Sequence, residues 1–272
     1  MIRLPVRALC CFAALLVLGG CAPQHIALTP ASPDTAASAW AAFADYCADQ
    51  AGQTGPYLLQ CGLRYTGTED DGNRAKAVFW GNNDRLIRLD IMAGIGMLVG
   101  RVLQSEADLV IHSPRENKAW TYHGRGKALL SFGVPIPLTL QDVVAVMQGR
   151  YLDVFGPAGG VDPYEAEQGA VSFRLEGGRL PGTVTLDPDG LLTRWQEAPG
   201  AWSMRIEYDR GLPCLPREIA IDHPGGGRAV LTVTSRQRPA APFSEEQLRL
   251  ELPPGTAIEA MRRAGSPQTE PE

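Results

Sequence analysis

Two hydrophobic periods alternate along this chain. From Leu58 to Thr66 apolar and polar residues take turns, and the same period of two returns in Arg74–Trp80, Arg85–Ile91, Met97–Gln104, Ala107–Ser113 and Lys118–His123. That period marks half-buried β-strands. In the second strand Lys76, Val78 and Trp80 share one side and Ala75, Ala77 and Phe79 the other; in the third, Ile87, Leu89 and Ile91 face the core. An acidic turn at Gly67–Asn73 and a Gly81-Asn82-Asn83-Asp84 turn punctuate the run, as hairpins require. The pattern breaks at Gly126. Lys127–Gly133 and Thr139–Gln148 read as two helices joined by Val134–Leu138, with Thr139 as N-cap and Val143, Val146 and Met147 on one face. Gly156–Gly169 reads as a loop. Strands resume at Ala170–Leu175, Gly182–Leu186, Leu191–Trp195, Trp202–Tyr208, Pro216–Ile221 and Ala229–Ser235, with an edge strand expected at Gln247–Leu252. Ahead of the first strand, Trp40, Phe43 and Tyr46 recur every third residue in Ala39–Gln50, one face of a short helix packed on the core.

These elements predict a mainly β fold, a curved antiparallel sheet with an inserted helical pair. A sheet of this many strands must curl to bury its apolar face, and helices inserted mid-chain are the natural cover for the open side. The high counts of glycine (30) and proline (22) suit short strands and turns.

The first 21 residues follow another logic. Arg3 and Arg7 precede an apolar run from Ala8 to Leu18 that is too short to span a bilayer, and Leu18-Gly19-Gly20-Cys21 closes it. This is the pattern of a secretory signal ending in a lipobox. Residues 1–20 are therefore expected to be the signal, 21–38 a flexible tether rich in Ala, Pro, Thr and Ser, 39–252 a single domain, and 253–272 a frayed tail. By resemblance to bacterial lipoproteins, Cys21 is the lipidated residue, and Ala22 beside it resembles residues that permit outer-membrane sorting. The protein is then expected to work lipid-anchored at the outer membrane, facing the periplasm.

The formal net charge of −5 argues against nucleic acid or anionic headgroups as the main electrostatic partner. Of 6 cysteines, Cys47, Cys61 and Cys214 lie beyond the lipobox. One disulfide, with Cys47–Cys61 the preferred pair, and three reduced buried thiols are both compatible with that number. His25, His112, His123 and His223 lack metal-ligand spacing, no Gly-x-Ser-x-Gly elbow occurs, and Gly225-Gly226-Gly227 lacks the lysine of a phosphate loop. Asp187 and Asp189 flank a proline in a turn. No enzyme activity, metal or cofactor is expected.

Cys61-Gly-Leu-Arg-Tyr65, Val78-Phe-Trp80 and Arg85-Leu-Ile-Arg-Leu-Asp-Ile-Met-Ala-Gly-Ile-Gly-Met97 resemble the opening strands of the LolB family of outer-membrane lipoproteins, which receive other lipoproteins from the carrier LolA. Phe132-Gly-Val-Pro-Ile-Pro-Leu138, followed by Leu140-Gln-Asp-Val-Val and Gly149, is similar to its helical segment. Gly190-Leu-Leu-Thr-Arg-Trp195, Trp202–Tyr208 and Leu215-Pro-Arg-Glu-Ile219 are similar to its later strands. The resemblance covers about residues 58–236 and implies a half-open β-barrel with a helical lid over a cavity for acyl chains. The family's Pro-Leu-Gly loop stands here as Gly94-Ile95-Gly96, which puts Ile95 in the place of an exposed apolar residue that meets the membrane. A C-terminal extension beyond Ser235 is a second departure.

Within that frame Leu63, Tyr65, Val78, Trp80, Leu89, Leu130, Phe132, Met147, Met204 and Ile206 are expected to line the cavity, from their period-two or helical placement. The expected partners are membrane lipid, lipoprotein acyl chains and a LolA-like periplasmic carrier. The rival expectation is a structural or assembly lipoprotein of the same fold with a filled interior, acting through protein contacts. An open apolar pocket under Lys127–Gln148 distinguishes the two.

Overall fold

The computed structural model describes residues 29–52, 54–67, 73–82, 86–106, 108–124, 129, 136–156, 159–176, 179–197, 202–209, 211 and 214–261. The signal, Cys21, Leu130 and Phe132 lie outside these, as does the first lid segment apart from Leu129, which is helical.

Helix α1 (Pro33–Ala51) comes first. Ser32 caps it, its side chain accepting from the Thr35 amide at 3.2 Å, and Pro33 supplies a pre-set first turn. Six strands follow as a meander: β1 (Pro56–Thr66), β2 (Asn73–Asn82), β3 (Leu86–Ala93), β4 (Met97–Gln104), β5 (Asp108–Ser113) and β6 (Lys118–His123). Helices α2 (Leu140–Met147) and α3 (Tyr151–Phe155) interrupt. Then come β7 (Gly159–Glu165), β8 (Val171–Glu176), β9 (Gly182–Leu186), β10 (Leu192–Gln196), β11 (Ser203–Asp209), β12 (Leu215–Asp222) and β13 (Arg228–Gln237). A helical turn α4 (Glu245–Leu248) and β14 (Ala257–Ala260) end the described chain.

The fourteen strands among the described residues form one sheet in the order β14-β6-β5-β4-β3-β2-β1-β13-β12-β11-β10-β9-β8-β7. Every pairing is antiparallel except β14 on β6. β1 and β13 join the two meanders, and the outer strands β14 and β7 do not pair with each other. The architecture is the expected one, a curved antiparallel half-barrel with helices against its concave face. A sheet this long curls because each strand is rotated against the next, by about 20° on average.

Four local expectations change. α1 starts at Pro33, inside the segment read as tether: Ser32 and Pro33 are helix-start chemistry, and the alanines after them are good helix formers. β7 occupies half of the stretch read as a loop, its alternation hidden by a register shift between Val161 and Tyr164, with Asp162 at φ 49°. Glu245–Leu248 forms a helical turn in place of an edge strand, because Ser244 and Gln247 make a capping box. Residues 257–260 form β14 where a frayed tail was expected, held to β6 by Ala257 N donating to Asn117 O at 3.1 Å and Met261 N to Thr121 O at 2.8 Å.

Candidate functional site

The concave face has a filled half and a hollow half. Over β8–β13, the three helices fill it. Trp40 of α1 lies 5.1 Å from Phe173 and Phe155 of α3 lies 6.2 Å from Trp195, centroid to centroid. A Cβ at Gly160 would stand 2.4 Å from the Trp40 ring, so only glycine lets this helix seat. Tyr151, Tyr208 and Tyr46 form a polar seam here. The Tyr151 and Tyr208 hydroxyls meet at 2.5 Å, Tyr208 donates to Leu192 O at 2.9 Å, and Tyr46 donates to Cys214 O at 3.1 Å. Burial pushes all three phenols well above their ordinary range, so they act as neutral hydrogen-bonding groups.

Under β1–β6 the filling stops. An apolar cavity of about 290 Å³ remains, close to the lower end of the ~300–1,000 Å³ usual for small-molecule sites. Leu63, Phe79, Leu89, Ile91, Val102 and Ile111 form its sheet side, and Leu129, Ile136, Leu140 and Val143 its lid side. The lid is pinned at the start of α2. Thr139 Oγ1 donates to Asp142 Oδ2 at 2.7 Å and accepts from the Asp142 amide at 3.1 Å. Gln104 Oε1 of β4 accepts from the Leu140 amide at 2.9 Å, and Arg179 donates to Asp142 Oδ1 at 2.5 Å. A buried carboxylate thus ties the lid helix both to its own cap and to the filled half.

At one end the cavity is bordered by Val99 and Gly100 of β4, Ser113 at the end of β5 and Glu116 of the β5–β6 turn. The β3–β4 tip is Gly94-Ile95-Gly96, with both glycines in the left-handed region at φ 55° and 101°. Ile95 is fully exposed and Met97 is 63% exposed. Ile91 and Val99, four residues to either side of Ile95, both line the cavity. The open tip and the cavity end therefore share one rim of the half-barrel.

The sequence matches no family model and no curated protein. Solved structures do resemble it. A LolA-superfamily protein from Nitrosomonas europaea matches at TM-score 0.51 and 11% identity, over 75% of this chain and 98% of that one. A DUF1329-family protein from Desulfovibrio piger matches at TM-score 0.50 and 10% identity, over 80% and 98%. This is a LolA-like fold. At such identities the likeness concerns the path of the chain, and the site must be read from its own residues.

Of the expected cavity residues, Leu63 and Leu89 lie in the lining. Tyr65 is half-buried beside Gly227 at the rim. Met147, Met204 and Ile206 are fully buried in the filled half and lie outside the cavity lining. Val78 and Trp80 are on the wrong face. The register pairs Phe79 with Leu59 and Leu89, and Trp80 with Leu58 and Arg88, so Ala77 and Phe79 point inward. Trp80 lies on the outer face with the Arg88 guanidinium 5.3 Å above its ring. The outer face tolerates a tryptophan because the C-terminal arm crosses it: Arg88 donates to Arg249 O at 2.9 Å, and Asn82 exchanges two hydrogen bonds with the Phe243 backbone. Missed from sequence were Phe79, Ile91, Ile111 and Val143; the inward alternation of Ile87, Leu89 and Ile91 already pointed to Ile91.

Cys47, Cys61 and Cys214 are free thiols. Burial raises Cys47 and Cys61 to about 12, which makes both unreactive, and Cys61 donates to Met147 Sδ at 3.4 Å. Among the described residues no cluster of three or more His, Cys, Asp or Glu could hold a metal. No described helix is long and apolar enough to cross a membrane.

Proposed function

We propose that this protein is a lipid-anchored carrier or receptor that accepts an acyl chain in the β1–β6 cavity and helps pass lipoproteins or lipids to the outer membrane. The observation that carries the proposal is the shared rim: an apolar cavity of about 290 Å³ ends beside a fully exposed isoleucine. Acyl binding there draws on apolar burial, worth about 0.8 kcal/mol per methylene. A hairpin tip in water is normally polar, and this one has no charge between Asp90 and Arg101. Ile95 dips into lipid, flanked by the adaptable side chains of Met92 and Met97, and places the cavity mouth at the bilayer surface. The LolB-like segments within residues 58–236 and the LolA-like fold support this reading. Cys21 carries the lipid, and the partners are membrane lipid, lipoprotein acyl chains and a LolA-like periplasmic carrier.

The test is Ile95→Glu. It should leave thermal stability and ligand binding unchanged, because a fully exposed side chain packs against nothing, while reducing delivery of cargo to liposomes. Unfolding of this variant, or undiminished delivery, would sink the insertion step.

A further inference from the structure

We propose that a second cleft, on the rim opposite Ile95, binds the carboxylate or phosphate head of a single-chain amphiphile through Arg236. The cleft holds about 600 Å³. Its walls are the start of β1 (Pro56, Tyr57), the end of β11 (Asp209), the start of β12 (Leu215) and the residue just past β13 (Arg238). In an antiparallel sheet these termini face away from the end that carries the β3–β4 tip.

Arg236 reaches into this cleft from β13, opposite Leu59. One of its terminal nitrogens donates to Pro216 O and to Met147 O, which fixes the side chain against the end of α2. Its Nε is buried and has no partner. No described carboxylate comes within ion-pair distance of it; Asp209, across the cleft, acts on it only at longer range. A half-buried guanidinium without a counter-ion is costly, and burial depresses its pKa accordingly. An anion in the cleft supplies the missing counter-charge, with the terminal nitrogen that makes no protein hydrogen bond as its donor. Arg238 adds a second positive charge at the lip.

A bare anion would leave most of the volume empty. Leu59, Leu215, Pro56 and the Tyr57 ring offer the rest as apolar surface, which fits the first carbons of a chain behind the head. This site is separate from the lid cavity. Between Leu59, which lines the cleft, and Leu63, which lines the cavity, Cys61 and Met147 meet sulfur to sulfur, both fully buried.

The experiment follows the Gly55 and Gly211 backbone amides by NMR in the soluble Cys21→Ala form, titrated with decanoate, 1-decanol and inorganic phosphate. Decanoate should shift both amides saturably, 1-decanol should not, and added salt should weaken the effect. Arg236→Gln should weaken decanoate at least about tenfold, as loss of a charged hydrogen-bond partner implies. Arg236→Lys should retain part of the affinity, and Arg238→Gln should weaken it a few-fold. Phosphate binding as tightly as decanoate would keep the anion site and assign it to a free anion. The proposal is overturned if 1-decanol matches decanoate, or if folded Arg236→Gln binds like the parent. Should Arg236→Gln not fold, unchanged binding in both Arg236→Lys and Arg238→Gln overturns it equally.

Discussion

His112 shows at the residue scale how position outweighs residue type. It is 1% exposed, and neither ring nitrogen has a hydrogen-bond partner. It sits opposite Arg101 in the β4–β5 register. Burial first, and the Arg101 charge second, lower its pKa below the ordinary value of about 6.5. The folded chain therefore binds this proton less readily than the unfolded one. Stability is complete above about pH 6.5 and is lost as pH falls from there toward the depressed folded value. His112→Gln removes that titration, so its urea midpoint should drop less than the parent's between about pH 7.5 and about pH 5. Equal drops would show that His112 does not drive the acid sensitivity. The residue scale is also where sequence reading slipped. The expectation from period-two placement puts Val78 and Trp80 on the inner face of β2, with Ala77 and Phe79 on the outer. Pleat alternation is a two-way choice, and the deciding fact, the arm over the outer face, comes from residues some 160 positions away.

The element scale was far more legible. Each of the six strands of the first meander was readable from its period of two, since one face is buried and the other meets solvent. Thr139 was readable as a cap because its chemistry is local. What stayed hidden depends on distant partners. β14 has no apolar alternation and exists because β6 offers an edge, with Lys118 and Glu259 paired at 2.7 Å. Nor could sequence tell which helix faces fill one half of the barrel and leave the other hollow. The α2 cap gives a test at this scale. Thr139→Ala removes one side of the capping box and should cost about 1 kcal/mol. Thermal denaturation with the ligand-free protein measures it, and an unchanged midpoint would mean that Gln104 and Arg179 hold the lid start unaided.

For the whole molecule, the half-barrel is solid where three helices meet β8–β13 and hollow beneath β1–β6. The remaining feature at this scale is attachment. On the proposed lipid anchoring, Cys21→Ala should move the protein from the membrane to the soluble periplasmic fraction, because Leu18-Gly-Gly-Cys has the pattern of a lipobox. Retention in the membrane pellet would remove lipidation from the account. The central claim is that the β1–β6 cavity takes an acyl chain, and it is tested most directly by titrating the soluble Cys21→Ala form with a fluorescent fatty-acid methyl ester, whose uncharged head takes no part in anion recognition. Saturable one-to-one binding is expected in the parent and in Trp80→Glu, which changes only the outer face, and loss of binding is expected in a folded Ile91→Trp variant, whose indole fills the pocket. Equal binding by the parent and Ile91→Trp, or no binding by the parent, would contradict the account.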